Sequence, residues 1–298
     1  MEFKRLINLK TKSGHSLIAV KRAMQKYARR GMATKMLEAV SEIDTFRTND
    51  YFDNLALQRD MINQLKTLLF EEVSFSQPGA FILVAMKITE WEESGRKDRK
   101  ALADIASTIA YAKKLRMPSY LRSNYGEEDE CNFDKEHFLK FVKEKDISSV
   151  EWVYHNEEEA LEMLDDCDFP GKHFVLPMCK AEWKRLKRTE SSKRFMFIVV
   201  PWLWVIFADD LWAHEEDGAD TPEFTKKEVV TAYKKRNVKF EDFVMQNEKR
   251  GEEVVYNEDN VWLAPYQFLK EWHEECCGST NNDLPPSYEE AIKMSRLN

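Results

Sequence analysis

Side chains that could hold a metal ion or act in catalysis are gathered at a few places in the sequence. Asp209 and Asp210 follow directly on an apolar run, as the carboxylate pair of a Walker B strand does. Such a pair serves a nucleotide only beside a phosphate-binding loop, and the sequence has no G-x-x-x-x-G-K-[ST] motif. Gly171-Lys172 is followed by His173 and lacks the first glycine. We therefore expect the two carboxylates to end a strand, with metal or nuclease chemistry as the minor alternative.

Histidine and cysteine side chains offer the other metal-binding chemistry. His273 lies close to Cys276 and Cys277, and His137 follows Cys131 by six residues. No C-x-x-C pair, which commonly anchors a zinc tetrahedron, accompanies either group. The sequence also lacks G-x-S-x-G and H-E-x-x-H motifs. We predict that the protein is not an enzyme and that it has no metal site and no cofactor.

The clearest binding motif is Pro285-Pro286-Ser287-Tyr288, a P-P-x-Y sequence in the polar C-terminal residues. Consecutive prolines favour a polyproline II conformation that inserts between the aromatic rings of a WW-domain groove, while the tyrosine fills a separate pocket. With the E-E-A-I sequence that follows, the segment resembles the tails that recruit HECT ubiquitin ligases of the Nedd type, including viral late-domain motifs. We predict that Pro285, Pro286 and Tyr288 bind a WW domain. A proline turn without a ligand is the alternative.

Basic charge is concentrated near the N-terminus. Residues 1–40 hold ten Lys or Arg against two acids, a net +8, so the total of -8 leaves -16 for the rest of the chain. Several of these basic residues are predicted to share one side of the first helix. Phosphates of a nucleic acid are one candidate partner for them, the acidic surface of a sister subunit is another, and a solvated face without a partner is the third. The candidate nucleic-acid-binding residues are Lys21, Arg22, Lys26, Arg29 and Arg30.

Length and composition predict a folded, mainly helical protein of two domains. The 298 residues are 43% hydrophobic and 33% charged, which is the composition of a folded chain. Only nine residues are glycine, so tight turns should be few and helices should dominate. The five cysteines form no regular framework, and the N-terminus lacks the apolar core of a signal peptide. We therefore expect a reducing, cytosolic or nuclear location.

Apolar residues spaced by three and four predict a helical bundle over about residues 13–126. Short links between its helices favour one compact domain. Pro78 is expected in a first helical turn, where its missing N–H costs nothing. The predicted helices cover 16–46 with a break near Gly31, 61–69, 78–88 and 102–112.

The pattern changes after residue 130 and predicts a smaller α+β domain over 131–275. The apolar run 195–208 is 14 residues long and contains Pro201, so it is too short to cross a bilayer and fits buried strand. No transmembrane segment is therefore predicted. Residues 278–298 are polar and are expected to be a flexible tail. The predicted strands are 174–176, 195–200 and 202–207, and the predicted helices are 134–145, 157–165, 262–272 and one that starts at Thr221-Pro222.

Three stretches of the predicted bundle carry a family resemblance. They are AVKRAMQKYARRG (19–31), LKTLLFEEVSFSQPGA (65–80) and ALADIASTIAYAKKLRMPSYLRSN (101–124). Together they resemble the C-terminal helical region of the MgsA (RarA) and Werner-interacting AAA+ ATPases, relatives of the clamp loaders. That region supports tetramer formation in the family, so the resemblance implies a self-associating helical module. It does not include the ATPase module, for which this sequence has no phosphate loop.

These patterns together predict a non-enzymatic adaptor or assembly protein that forms homo-oligomers and recruits a WW-domain partner. A large DNA virus of eukaryotes is one setting that joins these features, because a virion or assembly protein would use host ubiquitin ligases. The expected location is then the cytoplasm or nucleus of the host cell, or the virion. The alternative is a DNA-replication or repair accessory protein that binds nucleic acid through its basic first helix.

Overall fold

A computed structural model of the chain describes eleven α-helices. A π-helical turn (Leu69–Val73) continues α3, and a 3₁₀ turn (Ser192–Phe195) leads into α10. The prediction of a mainly α fold is confirmed. The described residues are 9–46, 51–73, 77–114, 118, 121, 131, 133–169, 171–212, 223–240 and 244, with the backbone alone for 51–53 and 208–212. The helices are α1 (Leu17–Arg29), α2 (Ala33–Asp44), α3 (Tyr51–Leu68), α4 (Pro78–Glu93), α5 (Arg99–Tyr111), α6 (Lys135–Lys143), α7 (Ser149–His155), α8 (Glu157–Met163), α9 (Lys172–Lys187), α10 (Met196–Trp212) and α11 (Lys226–Lys234).

Local capping explains where several helices begin and end. The Ser16 hydroxyl accepts a hydrogen bond from the Ala19 N–H at 3.2 Å and starts α1. Gly31 follows α1 with a φ of +66°, a conformation that glycine adopts without strain, and separates α1 from α2 as predicted. Pro78 occupies the first turn of α4, also as predicted.

The chain divides into two compact units that are each discontinuous in sequence. The first takes residues from 1–65, 98–111 and 222–298, and the second from 66–97 and 112–221. This division differs from the predicted continuous domains 13–126 and 131–275. The predicted boundary at 127–130, the predicted helix at 262–272 and the predicted tail at 278–298 lie outside the described residues.

Helix α5 forms the centre of the first unit. All ten residues from Ala101 to Ala110 are buried, and four of them are alanine. Small side chains let neighbouring helices approach closely, and α1, α2 and α11 all pack against α5. The Asp98 carboxylate accepts hydrogen bonds from the N–H groups of Lys100 (2.9 Å) and Ala101 (3.1 Å) and so caps the start of α5.

Helix α10 forms the centre of the second unit, and it corrects the predicted strands 195–200 and 202–207. Every residue from Phe195 to Trp204 is buried. Trp202 donates a hydrogen bond from Nε1 to the Ala160 carbonyl at 3.0 Å, and Phe138 meets its ring edge-on at 4.9 Å. A helix satisfies its backbone polar groups internally, so this run needs no neighbouring strands to be buried on all sides.

The remaining strand prediction is wrong as well, and one helix starts later than predicted. Residues 174–176 lie in α9, so the described residues form no strand and the predicted α+β character of 131–275 is not found. Helix α11 begins at Lys226, after an N-cap at Thr225, instead of at Thr221-Pro222. Residues 134–145 and 157–165 are largely helical, in α6 and α8, as predicted. No described helix has the length and apolar character needed to span a membrane.

Gly171, which precedes α9, provides a test of packing in the second unit. Its φ is +65°, and a Cβ atom there would lie 2.3 Å from Ile82 Cγ1 on α4. We expect Gly171→Ala to lower the free energy of unfolding by about 3 kcal/mol, because it adds a steric overlap to the left-handed strain. Urea unfolding followed by circular dichroism measures the change.

Gly14→Ala is the matched control for this substitution. Gly14 has a φ of +85° but nothing within 4 Å of the added Cβ, so only the backbone strain applies. Its expected cost is about 1 kcal/mol. Equal losses in the two variants would mean that the contact with Ile82 relaxes freely, contrary to the packing described.

Candidate functional site

A groove with a volume of about 490 Å³ lies in the first unit, where the start of α5 meets α11. Four of its lining residues are basic, three are apolar or aromatic, and none is acidic. Such a lining suits a ligand that combines negative charge with apolar groups. The lining residues are Arg99, Lys100, Lys226, Val229, Val230, Tyr233 and Lys234.

One face of α11 forms the larger side of the groove. Lys226, Val230 and Lys234 recur every four residues, which places them along one side of the helix. Val230 is 41% exposed although it is apolar. The face therefore presents one exposed apolar side chain, Val230, between two lysines.

The α5 side of the groove holds its two cations in ion pairs. The guanidinium carbon of Arg99 lies 4.4 Å from the centroid of the Tyr233 ring, and its Nε lies 3.7 Å from Asp44 Oδ2. Lys100 bonds to Asp104 and, at 3.2 Å, to Glu223. Burial lowers the pKa of Lys100, but its hydrogen bonds to Asp104 and Glu223 outweigh burial, so the pKa is raised. The charges on this side are thus largely balanced within the unit.

The two lysines of α11 differ from this pattern. Lys226 and Lys234 are exposed, and neither forms an ion pair or a hydrogen bond with another described residue. Their charges are the part of the groove that is open to a ligand.

The turn before α1 fixes the position of the chain that follows α11. Ser13 Oγ accepts a hydrogen bond from the Val238 N–H at 3.0 Å, and Lys12 Nζ donates to the Tyr233 carbonyl at 3.1 Å. Burial lowers the pKa of Lys12, against the attraction of Glu42. Lys235 pairs with Glu38 on α2. These contacts hold the end of α11 against α2 and the N-terminal turn.

Glu42, on α2, accepts the hydrogen bonds that hold the N-terminal turn in place. Its side chain is fully buried and accepts hydrogen bonds from Thr11 Oγ1 at 2.5 Å, from the Ser13 N–H at 3.2 Å and from Ser13 Oγ at 2.9 Å. A buried carboxylate requires such donors, because an unpaired charge in the interior is costly. The sequence of the turn, T-K-S-G, supplies them in four residues.

Ser13, His15 and Glu42 are residue types of a hydrolytic triad, but their arrangement is different. His15 Nε2 lies 2.6 Å from the Val238 carbonyl, and the His15 ring stacks on Phe240 at 4.0 Å. The Ser13 hydroxyl donates directly to Glu42. The histidine therefore does not activate the serine, and the cluster joins chain segments.

The predicted basic stripe on α1 is only partly presented to solvent. Arg29 is 3% exposed, and Lys21 Nζ lies 2.5 Å from Asp60 Oδ1 on α3. Lys26 and Arg30, like Arg29, interact with other groups of the chain. Arg22 is partly exposed. The five residues thus do not form a uniform exposed row.

The other predicted sites fall in helices or outside the described residues. Asp209 and Asp210 lie in the last turns of α10, so they do not follow a strand as predicted. His137 Nδ1 lies 2.9 Å from Asp134 Oδ1, whereas Cys131 Sγ donates to the Phe133 carbonyl at 3.2 Å. Within the described ranges, no group of three or more His, Cys, Asp or Glu side chains is placed to hold a metal ion. The motif residues Pro285, Pro286 and Tyr288 and the group His273, Cys276 and Cys277 lie outside the described residues.

Sequence reasoning missed the groove. The sequence K-x-x-V-V-x-x-Y-K over 226–234 indicates the α11 side of the groove, because its basic and apolar residues are three and four apart and so share one side of a helix. The contribution of Arg99 and Lys100 comes from a distant part of the chain, which a local pattern does not reveal.

Comparisons of the chain with protein-family models, with curated proteins and with solved structures give no match. Its function is therefore inferred from its own residues.

The stability of α11, the helix that forms the larger side of the groove, is expected to depend on pH. Glu228 Oε2 accepts hydrogen bonds from the hydroxyl and the N–H of Thr225, both at 2.7 Å, and these bonds lower the pKa of Glu228 below its ordinary value of 4.5. A carboxyl group whose pKa is lower in the folded than in the unfolded state stabilises the fold at pH values above its ordinary pKa. This contribution is lost as the pH falls through the folded-state pKa. We expect the amide protection of α11 to fall on such acidification, as measured by hydrogen exchange.

Thr225→Ala should remove most of this dependence. It deletes the N-cap, so exchange in α11 at neutral pH should be about fivefold faster and the pKa of Glu228 should move back towards 4.5 in an NMR titration. Thr231→Ala, in the middle of the same helix, is the control and should leave both quantities nearly unchanged. If the two variants behave alike, the hydrogen bonds between Thr225 and Glu228 do not hold α11.

Proposed function

We propose that the protein is a non-enzymatic adaptor that recruits a WW-domain partner, of the HECT ubiquitin ligase type, through Pro285, Pro286 and Tyr288. The observation that carries the proposal is the P-P-x-Y motif at residues 285–288. The motif follows a polar stretch, G-S-T-N-N-D, whose composition suits a ligand that a separate protein must reach.

A structural role of the polar clusters supports an adaptor rather than an enzyme. Ser13, His15 and Glu42 have the residue types of catalysis, yet their polar atoms connect the N-terminal turn to α2 and to Val238. The helices then serve as a scaffold that displays the C-terminal motif.

Self-association is the second part of the proposal. The resemblance of residues 19–124 to the oligomerising region of the MgsA and Werner-interacting ATPases supports it, as does the net +8 of residues 1–40 against the net -16 of the rest. A repeated scaffold would present several P-P-x-Y motifs and bind multivalent partners more tightly. A virion or assembly protein of a large DNA virus, working in the cytoplasm or nucleus of its host, fits this combination.

Nucleic-acid binding through α1 is the alternative and has less support, because Arg29 is buried and Lys21 is paired with Asp60. Arg22 and Lys26, which are both partly exposed, are the residues to test. If α1 binds DNA, Arg22→Ala with Lys26→Ala must abolish a salt-dependent gel shift, and the slope of affinity against salt must fall by about two.

If the protein is a WW-domain adaptor, its affinity for the WW domain should depend strongly on the Tyr288 side chain. Tyr288→Ala should weaken binding of a P-P-x-Y-specific WW domain to the full chain about 30-fold, because the empty tyrosine pocket costs about 2 kcal/mol. Isothermal titration calorimetry measures the affinity.

Ser287→Ala is the control for this measurement. The x position of the motif makes no required contact, so its affinity should stay within about twofold of the unchanged chain. A WW domain that binds neither the unchanged chain nor a synthetic 278–298 peptide would refute the proposed function.

A further inference from the structure

We propose that the groove between α5 and α11 binds this chain's own C-terminal segment 283–290, and that this contact competes with WW-domain binding. The inference concerns a site separate from the P-P-x-Y motif, and its regulatory part rests on the proposed function. The occupant is Asp283-Leu284-Pro285-Pro286-Ser287-Tyr288-Glu289-Glu290.

The groove and the segment are complementary in charge. Lys226 and Lys234 are exposed and form no ion pair with a described residue, and no acid lines the groove. The proposed segment carries acids at both ends, Asp283 before the prolines and Glu289 and Glu290 after the tyrosine. No Lys or Arg occurs between Lys270 and Lys293, so this part of the chain brings no opposing charge to the groove.

Charged and apolar residues follow a matching order along the groove and the segment. Along α11, Val230 lies midway between the two lysines, with Val229 and Tyr233 beside it in the groove. Along the segment, Leu284, two prolines and Tyr288 lie between the acids. Each partner thus presents an apolar centre flanked by charge of opposite sign.

The dimensions of the two patterns agree. Eight helical residues separate the Cα atoms of Lys226 and Lys234 by about 12 Å. Six residues of polyproline II chain separate Asp283 from Glu289 by about 19 Å. The difference of about 7 Å is within the reach of flexible lysine side chains and the carboxylate side chains that would meet them.

The connection from α11 to the segment is long enough. The chain leaves α11 at Lys234, stays on the same unit through the contacts of Val238 with Ser13 and His15, and is described as far as the buried Val244. From there to Asp283 are 39 residues, which span up to about 130 Å. Because the partners share one chain, a weak contact is populated without a high protein concentration.

An apolar floor favours this occupant over nucleic acid. Phosphates would be bound by the lysines alone and would leave Val230 uncovered, whereas Leu284 and the prolines would cover it. Docking would also bury Tyr288, the residue that a WW domain needs.

The first test uses no WW domain. In the full chain, Tyr288→benzoylphenylalanine is irradiated, and the cross-linked peptides are identified by mass spectrometry. We expect cross-links within one chain to residues 226–234, and their yield should fall at least fivefold when Lys226→Glu and Lys234→Glu are added. The matched control, Lys227→Glu with Arg236→Glu, reverses two exposed charges outside the groove and should preserve the yield.

Three outcomes of this test, and one of a parallel DNA-binding assay, would overturn the proposal. Cross-links that miss α11, or that persist after the Lys226→Glu and Lys234→Glu substitutions, exclude the groove as the site. Cross-links that join light and heavy chains in an isotope mixture assign the groove to a second copy. A salt-dependent DNA complex that requires Lys226 and Lys234, without the intrachain cross-link, assigns it to nucleic acid.

The second test addresses competition. If docking occupies about 90% of the chains, the full chain binds a WW domain about tenfold more weakly than the 278–298 peptide, and Lys226→Glu with Lys234→Glu restores the affinity of the peptide. Equal affinities of chain and peptide contradict competition. A peptide that fails to bind the WW domain refutes the proposed function, while the cross-linking result still decides whether the groove holds the segment.

Discussion

Burial of residues 101–110 of α5 and of residues 196–204 of α10 is the constraint on which the rest of the structure depends. Helix α5 is surrounded in the first unit and α10 in the second, so each requires helices on every side. The helices that cover α5 come from both ends of the described chain, and α11 is one of them. The groove exists because α11 covers only part of the start of α5 and leaves Val230 exposed.

The two buried helices differ in how far their sequences predict them. Residues 101–110 alternate small and aliphatic side chains with a helical period, and they follow a polar start at Asp98. Residues 195–207 have no polar face, so no period is visible, and their aromatic and branched residues suit strands equally well. Aromatic residues from other segments of the chain, such as Phe138 and Phe70, pack against this run, and the sequence of the run itself does not reveal these contacts.

The net charge of a stretch of sequence did not locate the candidate site, because it does not show which charged side chains are exposed and unpaired in the fold. Counting residues identified the N-terminal forty as basic, but Arg29 is buried and Lys21 is neutralised by Asp60. Lys226 and Lys234 belong to a part of the sequence whose total charge is negative, yet they are the cations left open at the groove. Exposure and local pairing determine which charges reach a ligand, and both depend on tertiary contacts.

The groove and the WW motif are thermodynamically coupled if one segment serves both. Any interaction that strengthens docking of Tyr288 in the groove weakens its recruitment, because the affinity for the partner falls by the factor 1 + K, where K is the equilibrium constant of docking. Docking with an equilibrium constant of about 10 would cost a partner about 1.4 kcal/mol, which a WW domain overcomes at moderate concentration, whereas a constant of about 1,000 would silence the motif. Docking of the segment in the groove must therefore be weak if a partner is still to be recruited. An open, solvated groove with two lysines at its edges and a single exposed valine between them has that character, because exposed ion pairs contribute little and the apolar area is small.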